Sequence, residues 1–242
     1  MHRPIYTPKG RAGEYADFAL NIYNSCNHNC WYCYAKKNFQ RWHPNETFGE
    51  DVKPREGIVE ATKLQLSKGK YRDKKIMLCF MCDPYPHTID TTATREVIQA
   101  IKEAGAHVQI LTKGGDLARR DFDLLDDGDS FGITLSCLYG SNRAEPNAAE
   151  PLERLNSLID ASRKGINTWV SFEPVIEPIG VLELIYNLPV MVSKDTLLKI
   201  GKLNHYKTDI DWRKFGLEAE RICKENGWNY YIKEDLRAEM EG

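Results

Sequence analysis

From residue 57 onward, stretches with helical spacing alternate with short apolar runs, and nothing else in the sequence restricts the fold as much. Ile76-Met77-Leu78-Cys79-Phe80 is apolar without a break, as expected of a strand covered on both faces of a parallel sheet. Further strands are expected at His107–Thr112, Phe131–Ser136, Asn167–Phe172 and Thr196–Ile200, with a final one at Trp228–Ile232. An earlier strand is expected at Asp17–Asn24. Between them, helices are expected at Gly57–Lys68, Thr92–Ala104, Asp116–Leu125, Pro151–Lys164, residues 180–187 and Trp212–Glu225. Pro151 suits the first turn of its helix, and Gly105 and Gly165 suit helix ends. The alternation repeats about six times, which implies an α/β protein of parallel βα units with right-handed crossovers. Residues 36–53 are polar and aromatic and read as an extended loop holding a helical turn. Residues 1–16, broken by Pro4, Pro8, Gly10 and Gly13, read as an irregular lead-in. Residues 17–242 contain no repeat, low-complexity tract or linker, so one domain is expected there.

The loop after the first strand holds Cys26-Asn27-His28-Asn29-Cys30-Trp31-Tyr32-Cys33, a C-x3-C-x2-C spacing. A loop can wrap its backbone so that three thiolates converge, and thiolates suit iron–sulfur clusters and zinc. A structural zinc site wants four protein ligands. With His28 or His43 as a fourth, these cysteines would make a zinc-stabilised binding module without catalysis. An iron–sulfur cubane held by three cysteines instead leaves one iron open to a small molecule.

The spacing, the aromatic Tyr32 before the last cysteine, and the position after an early strand resemble those of radical S-adenosylmethionine (SAM) enzymes. That resemblance implies a 4Fe–4S cluster on Cys26, Cys30 and Cys33, with SAM bound at the open iron through its amino and carboxylate groups. It implies reductive cleavage to a 5′-deoxyadenosyl radical that takes a substrate hydrogen, and an electron donor such as flavodoxin or ferredoxin. It also implies a partial (β/α)6 barrel, TIM-like and open on one side.

In parallel α/β folds, ligands bind at the C-terminal ends of strands, and here those ends are polar. Met81-Cys82-Asp83-Pro84-Tyr85-Pro86 resembles the spore photoproduct lyase branch and its photolyase-like relatives. Glu145-Pro146 with Glu153-Arg154-Leu155 is similar to the same branch, although Arg154 can equally pair with Glu150 or Glu153 on its own helix. The resemblance puts the SAM amino group against the loop holding Asp83, where the plain alternative is a proline turn capped by Asp83. Lys113, beside a Gly-Gly turn, is either a partner for the SAM carboxylate or a surface lysine. Ser136 falls where relatives place a polar group near the ribose, Glu173 is a candidate for the ribose hydroxyls or the substrate, and Lys202 and Asn204 fall where relatives line the adenine. A carboxylate before Pro174 at the end of a buried strand is hard to explain by packing alone. Cys82 and Cys137 lie at strand ends, as hydrogen-atom donors to a product radical or as small buried cysteines. Cys79 and Cys223 read as core and inert.

The chain has 242 residues and a net charge of −2, which gives no global attraction to nucleic acid. Basic clusters at Lys36, Lys37, Arg41 and His43, and at Lys68–Lys75, read as solvated faces. No apolar run approaches the ~20 residues of a membrane span, and residues 1–10 show no apolar core of a secretory signal. Seven cysteines, an odd number, suit a reducing, cytoplasmic compartment. The photolyase-like resemblance suggests a nucleobase lesion or nucleotide as substrate; a peptide or small molecule stays open.

Overall fold

The structure, a computed structural model, describes residues 3–242. Seven strands form one sheet in sequential order: β1 (Phe18–Leu20), β2 (Lys75–Leu78), β3 (His107–Thr112), β4 (Ser130–Thr134), β5 (Asn167–Phe172), β6 (Leu197–Ile200) and β7 (Asn229–Ile232). Every neighbouring pair is parallel, and β1 does not pair with β7, so the sheet is an open partial barrel. The connecting helices are α1 (Tyr34–Trp42), α2 (Ile58–Leu66), α3 (Thr92–Glu103), α4 (Ser141–Ala144), α5 (Pro151–Arg163), α6 (Pro178–Asn187), α7 (Trp212–Asn226) and α8 (Glu234–Glu241). Between β3 and β4 the expected helix is a 3-10 segment, Gly115–Leu124. None of the described helices is long and apolar enough to cross a membrane.

Alternation along each strand divides two environments. Outward residues such as Ile76, Leu78, Val108, Ile110, Ile133 and Val170 are fully buried beneath the helices in the main core. Inward, Leu111, Gly132, Trp169 and Leu197 stand side by side in register. The Trp169 indole lies over Gly132, where a β-carbon would come within 2.3 Å of the ring. Its Nε1 donates to the Ile110 carbonyl at 3.1 Å. The next inward row is polar: Thr134, Ser171 and Lys199.

The lead-in spans the open side. Tyr6 bridges the β1 edge at Ala19 through two backbone hydrogen bonds of 2.9 Å. A few residues on, the Glu14 carbonyl accepts from Lys199 at 2.8 Å, and the Glu14 carboxylate accepts from Tyr231 of β7 at 2.9 Å. Lys233 donates to the Arg11 carbonyl at 3.3 Å, and Arg11 pairs with Asp235 of α8.

Two helices depart from the sequence expectation. Residues 34–42 form α1 rather than extended loop, because Ala35 and Phe39 bury one face while Phe39 stacks on His43 at 4.4 Å. Two buried positions in nine residues are too few to make a visible period. Helix α8 follows β7 and packs Leu236 and Met240 on α7, close against Gly216.

Candidate active site

The cysteine loop leaves β1 and ends at Cys33, which caps the start of α1. It is stitched to the loops after β2 and β4. Trp31 N–H donates to the Ala144 carbonyl at 3.2 Å, Asn147 N–H to the His28 carbonyl at 3.1 Å, and the Asn27 side chain to the His87 carbonyl at 2.6 Å. Gly49 passes so close that a β-carbon there would sit 2.7 Å from the Cys26 carbonyl oxygen. The three thiols are free, half-buried, and line one cavity of about 420 Å³ at the C-terminal ends of the strands. Burial lifts the Cys26 thiol well above its ordinary value and the Cys30 thiol to about 11. Thiolates form in such a loop when a positive centre draws the protons away.

The donor set fits a cluster better than a single ion. Zinc–sulfur bonds of about 2.3 Å put tetrahedral thiolates about 3.8 Å apart. Among the described residues, the only His, Cys, Asp and Glu trio with ligand atoms all within 4.8 Å of one another is His107, Asp126 and Asp129, not the cysteines. A cubane holds its thiolates farther apart, since each binds a different iron. The two histidines weighed as a fourth ligand are both engaged elsewhere. His28 is buried with Nδ1 3.5 Å from Asp83, and His43 is bonded to Glu46 at 2.8 Å.

The other expected residues divide into those at the cavity and those behind it. Tyr32, Cys82, Asp83, Lys113, Glu173, Lys202 and Asn204 all line it. Asp83 is fully engaged: Oδ1 accepts from Tyr85 N–H at 2.8 Å and Thr112 Oγ1 at 2.6 Å, and Oδ2 from Lys113 N–H at 2.9 Å. It therefore shapes the loops after β2 and β3. The Tyr32 hydroxyl shares a 3.0 Å hydrogen bond with Ser136 and donates to Glu145. Burial, then the Glu145 charge, push that phenol well above its usual value. Ser136 stands behind Tyr32, off the cavity wall. Lys113 is held charged: burial disfavours the ammonium most, but Glu145 at 3.9 Å, Cys30 and Asp83 together outweigh it and its pKa is raised. Glu173 accepts from Lys233 at 2.7 Å, Tyr15 at 2.5 Å and Asn204 at 3.3 Å. The Lys202 ammonium is paired with Glu239 of α8. Cys137 is buried off the cavity, its thiol pushed up to about 12 by burial.

The sequence from residue 20 to residue 177 matches the family model described as the radical SAM superfamily. The chain belongs to that superfamily. As a radical SAM protein it is 29% identical, over 70% of its length, to an uncharacterised protein of Methanocaldococcus jannaschii, covering 64% of that relative. It is 24% identical over 66% of its length to one of Mycobacterium tuberculosis, covering 49% of it. It thus spans 64% and 49% of these two relatives' lengths, less than two thirds in each case. It is also 29% identical over 81% of its length to a protein of Acidianus two-tailed virus, covering 68% of it. The fold of this radical SAM protein is that of spore photoproduct lyase complexed with a dinucleoside spore photoproduct: TM-score 0.69 and 13% identity, covering 94% of this chain and 79% of the other. Streptococcus suis SuiB bound to its precursor peptide SuiA aligns with TM-score 0.65 and 11% identity over 92% of this chain and 50% of the other.

Sequence reasoning did not anticipate Tyr15 and Lys233 at the cavity, or the partner of Arg154. Arg154 pairs with Glu145 at 2.5 Å, while Glu150 accepts from Ser141 and Glu153 from the Asp116 amide. The one available signal for Lys233 was its place at the end of the last strand, where the strand-end rule applies as it does to Glu173.

Proposed function

We propose that this protein is a radical SAM enzyme that holds a 4Fe–4S cluster on Cys26, Cys30 and Cys33 and binds SAM in the adjoining cavity. The observation that carries the reading is the convergence of three free thiols on one cavity of about 420 Å³. When bound, a cluster with one iron unclaimed by the protein supplies the electron that breaks the sulfonium and releases a 5′-deoxyadenosyl radical. The protein supplies orientation and exclusion of water. Tyr34, Leu111, Pro174 and Leu203 make apolar wall. The Lys113 ammonium is the partner for the SAM carboxylate, and the loop that Asp83 braces faces the amino group. Glu173, fixed by three donors, faces the ribose hydroxyls. Asn204 offers a donor and an acceptor to the adenine edge. Cys82 is the thiol placed to return a hydrogen atom to a product radical. The electron comes from a small carrier such as flavodoxin or ferredoxin.

The substrate we favour is a damaged or modified nucleobase. Two features support this: the structural likeness to a lyase solved with a dinucleoside photoproduct, and an aromatic platform beside the cavity. There Trp31 and Tyr206 meet edge to face at 5.0 Å, with the Lys37 ammonium 3.9 Å over the Tyr206 ring. Exposed rings with a cation nearby can stack a base in a sequence-tolerant way.

The test is anaerobic reconstitution with iron and sulfide, followed by dithionite and SAM. The wild type is expected to form 5′-deoxyadenosine and Cys30→Ala to form none. Equal yields from the two proteins would overturn the proposal.

A further inference from the structure

Between β6 and α7 the chain runs along the cavity as a strap, residues 202–210. Its two ends are fixed. Gly201 passes Glu173 so closely that a β-carbon would sit 2.9 Å from the carboxyl carbon, and Asp211 caps α7 by accepting from Lys214 N–H at 2.9 Å. Between those ends the strap is held lightly: among the described residues, 202–210 make no backbone–backbone hydrogen bond. Lys202, Leu203, Asn204 and His205 line the cavity on one side and a second one, of about 580 Å³, on the other, where Trp212 and Glu239 complete the wall. A segment with open space on both sides and an unpaired backbone belongs to the low-stability end of a fold. What the strap does hold is the cysteine loop. The Tyr206 hydroxyl donates at 3.1 Å to the carbonyl of Trp31, the residue after Cys30, and the two rings meet edge to face at 5.0 Å. The Lys37 ammonium, on the helix that Cys33 caps, donates to the His205 carbonyl at 3.3 Å and lies 3.9 Å over the Tyr206 ring. The chain turns at His205, whose φ of 69° is a left-handed conformation that residues with a β-carbon seldom adopt. That turn gives its neighbours separate tasks: Asn204 donates to Glu173 at 3.3 Å in the cavity, while Tyr206 reaches the cysteine loop.

We infer that residues 204–206 are a clasp, in which an adenine seated on Asn204 steadies Tyr206 against Trp31 and so holds the cysteine loop closed on its cluster. The inference rests on the proposed places of the cluster and of the adenine edge in this cavity. Tyr206 is a positioning residue that acts through Trp31. Two lightly held segments that share contacts order together, so the ligand that orders one lowers the entropy cost of ordering the other. By linkage the effect is reciprocal: a closed cysteine loop also favours the nucleoside.

The probe is 5′-methylthioadenosine, which carries adenine and ribose but no amino or carboxylate group to ligate iron. Anaerobically reconstituted protein is mixed with the chelator bathophenanthroline disulfonate, and iron release is timed with and without saturating probe. In the wild type the probe is expected to slow release about 2- to 10-fold, the worth of one net hydrogen bond. Tyr206→Ala is expected to release iron faster and to gain nothing from the probe. Tyr206→Phe, which keeps the ring against Trp31 and Lys37, is expected to keep part of the protection. Equal protection of the wild type and Tyr206→Ala overturns the inference, because the probe would then shield iron directly. Protection of neither overturns it as well. Should Tyr206→Ala fail to take up iron, hydrogen exchange on the wild type decides: the probe is expected to slow the amides of the strap and of the cysteine loop together, and slowing in the strap alone overturns the inference. Calorimetry with the same probe separates the two readings. Binding without protection removes the clasp alone, whereas no binding removes the clasp together with the adenine assignment beneath it.

Discussion

Glu145 and Arg154 form an ion pair of 2.5 Å with both side chains only 1% exposed. Arg154 also donates to the carbonyls of Thr134 at 2.9 Å and Ala149 at 2.7 Å, so it ties the end of β4 to the loop that braces the cysteines. Removing Arg154 leaves the buried Glu145 carboxylate with only the Tyr32 hydroxyl and, at 3.9 Å, the Lys113 ammonium. Arg154→Met is therefore expected to lower unfolding stability by about 3–5 kcal/mol, as for other broken buried pairs. Chemical denaturation of the two single variants and of Arg154→Met/Glu145→Gln together measures this, and the double variant is expected to recover part of the loss.

Lys199 offers a test by pH. Burial, helped by the neighbouring Lys233 charge, lowers its ammonium from 10.5 to about 8. Between those values the unfolded chain binds more protons than the folded one, so this group makes stability rise with pH across that window. Below pH 8 the charged lysine imposes its full cost; above 10.5 it imposes none. A shift of this size corresponds to roughly 3 kcal/mol. Other groups titrate in the same range, so the quantity to measure is the difference between wild type and Lys199→Met. The wild type is expected to gain on the variant from pH 8 to pH 10.5.

Inside the barrel, Gly132 leaves the room that the Trp169 indole fills. A β-carbon would lie 2.3–2.4 Å from two indole atoms, with the ring anchored by its bond to Ile110. Gly132→Ala is expected to cost about 1–3 kcal/mol, the usual penalty of overpacking. A thermal melt checks this, with loss of the Trp169 near-ultraviolet signature if the ring is displaced.

The third donor to Glu173 separates binding from folding. Lys233→Met leaves that carboxylate with Tyr15 and Asn204. A charge-assisted bond contributes about 1.5–3 kcal/mol, so SAM binding is expected to weaken roughly 10- to 100-fold if Glu173 must be aimed at the ribose. Equilibrium binding of SAM to the reconstituted protein reads this, and a denaturation curve on the same sample separates it from loss of fold.

Strands with continuous apolar runs were legible because both faces of the sheet are covered, one by helices and one by the barrel interior. β3 and β5 fall where the pattern places them, and the alternation also gave the strand ends where the cavity lies. Helices α1 and α8 were not legible, since Ala35 and Phe39, or Leu236 and Met240, are too few to set a period. The missing α8 had a further effect: the Glu239 that pairs with Lys202 lies on it, so nothing in the sequence could show where that ammonium goes. Carboxylates on its own helix stood as one of two readings for Arg154, because local spacing is all a sequence displays. Glu145 reaches it through the turn at α4, a connection fixed by tertiary packing.

The lead-in has a consequence for solubility. By pairing Tyr6 with Ala19 on the free edge of β1, it covers main-chain groups that would otherwise be open to strands from other molecules. A chain trimmed before Asp17 would keep all its cysteines, lose Tyr15 from the cavity, and tend to self-associate, so the same short segment completes the site and guards against aggregation.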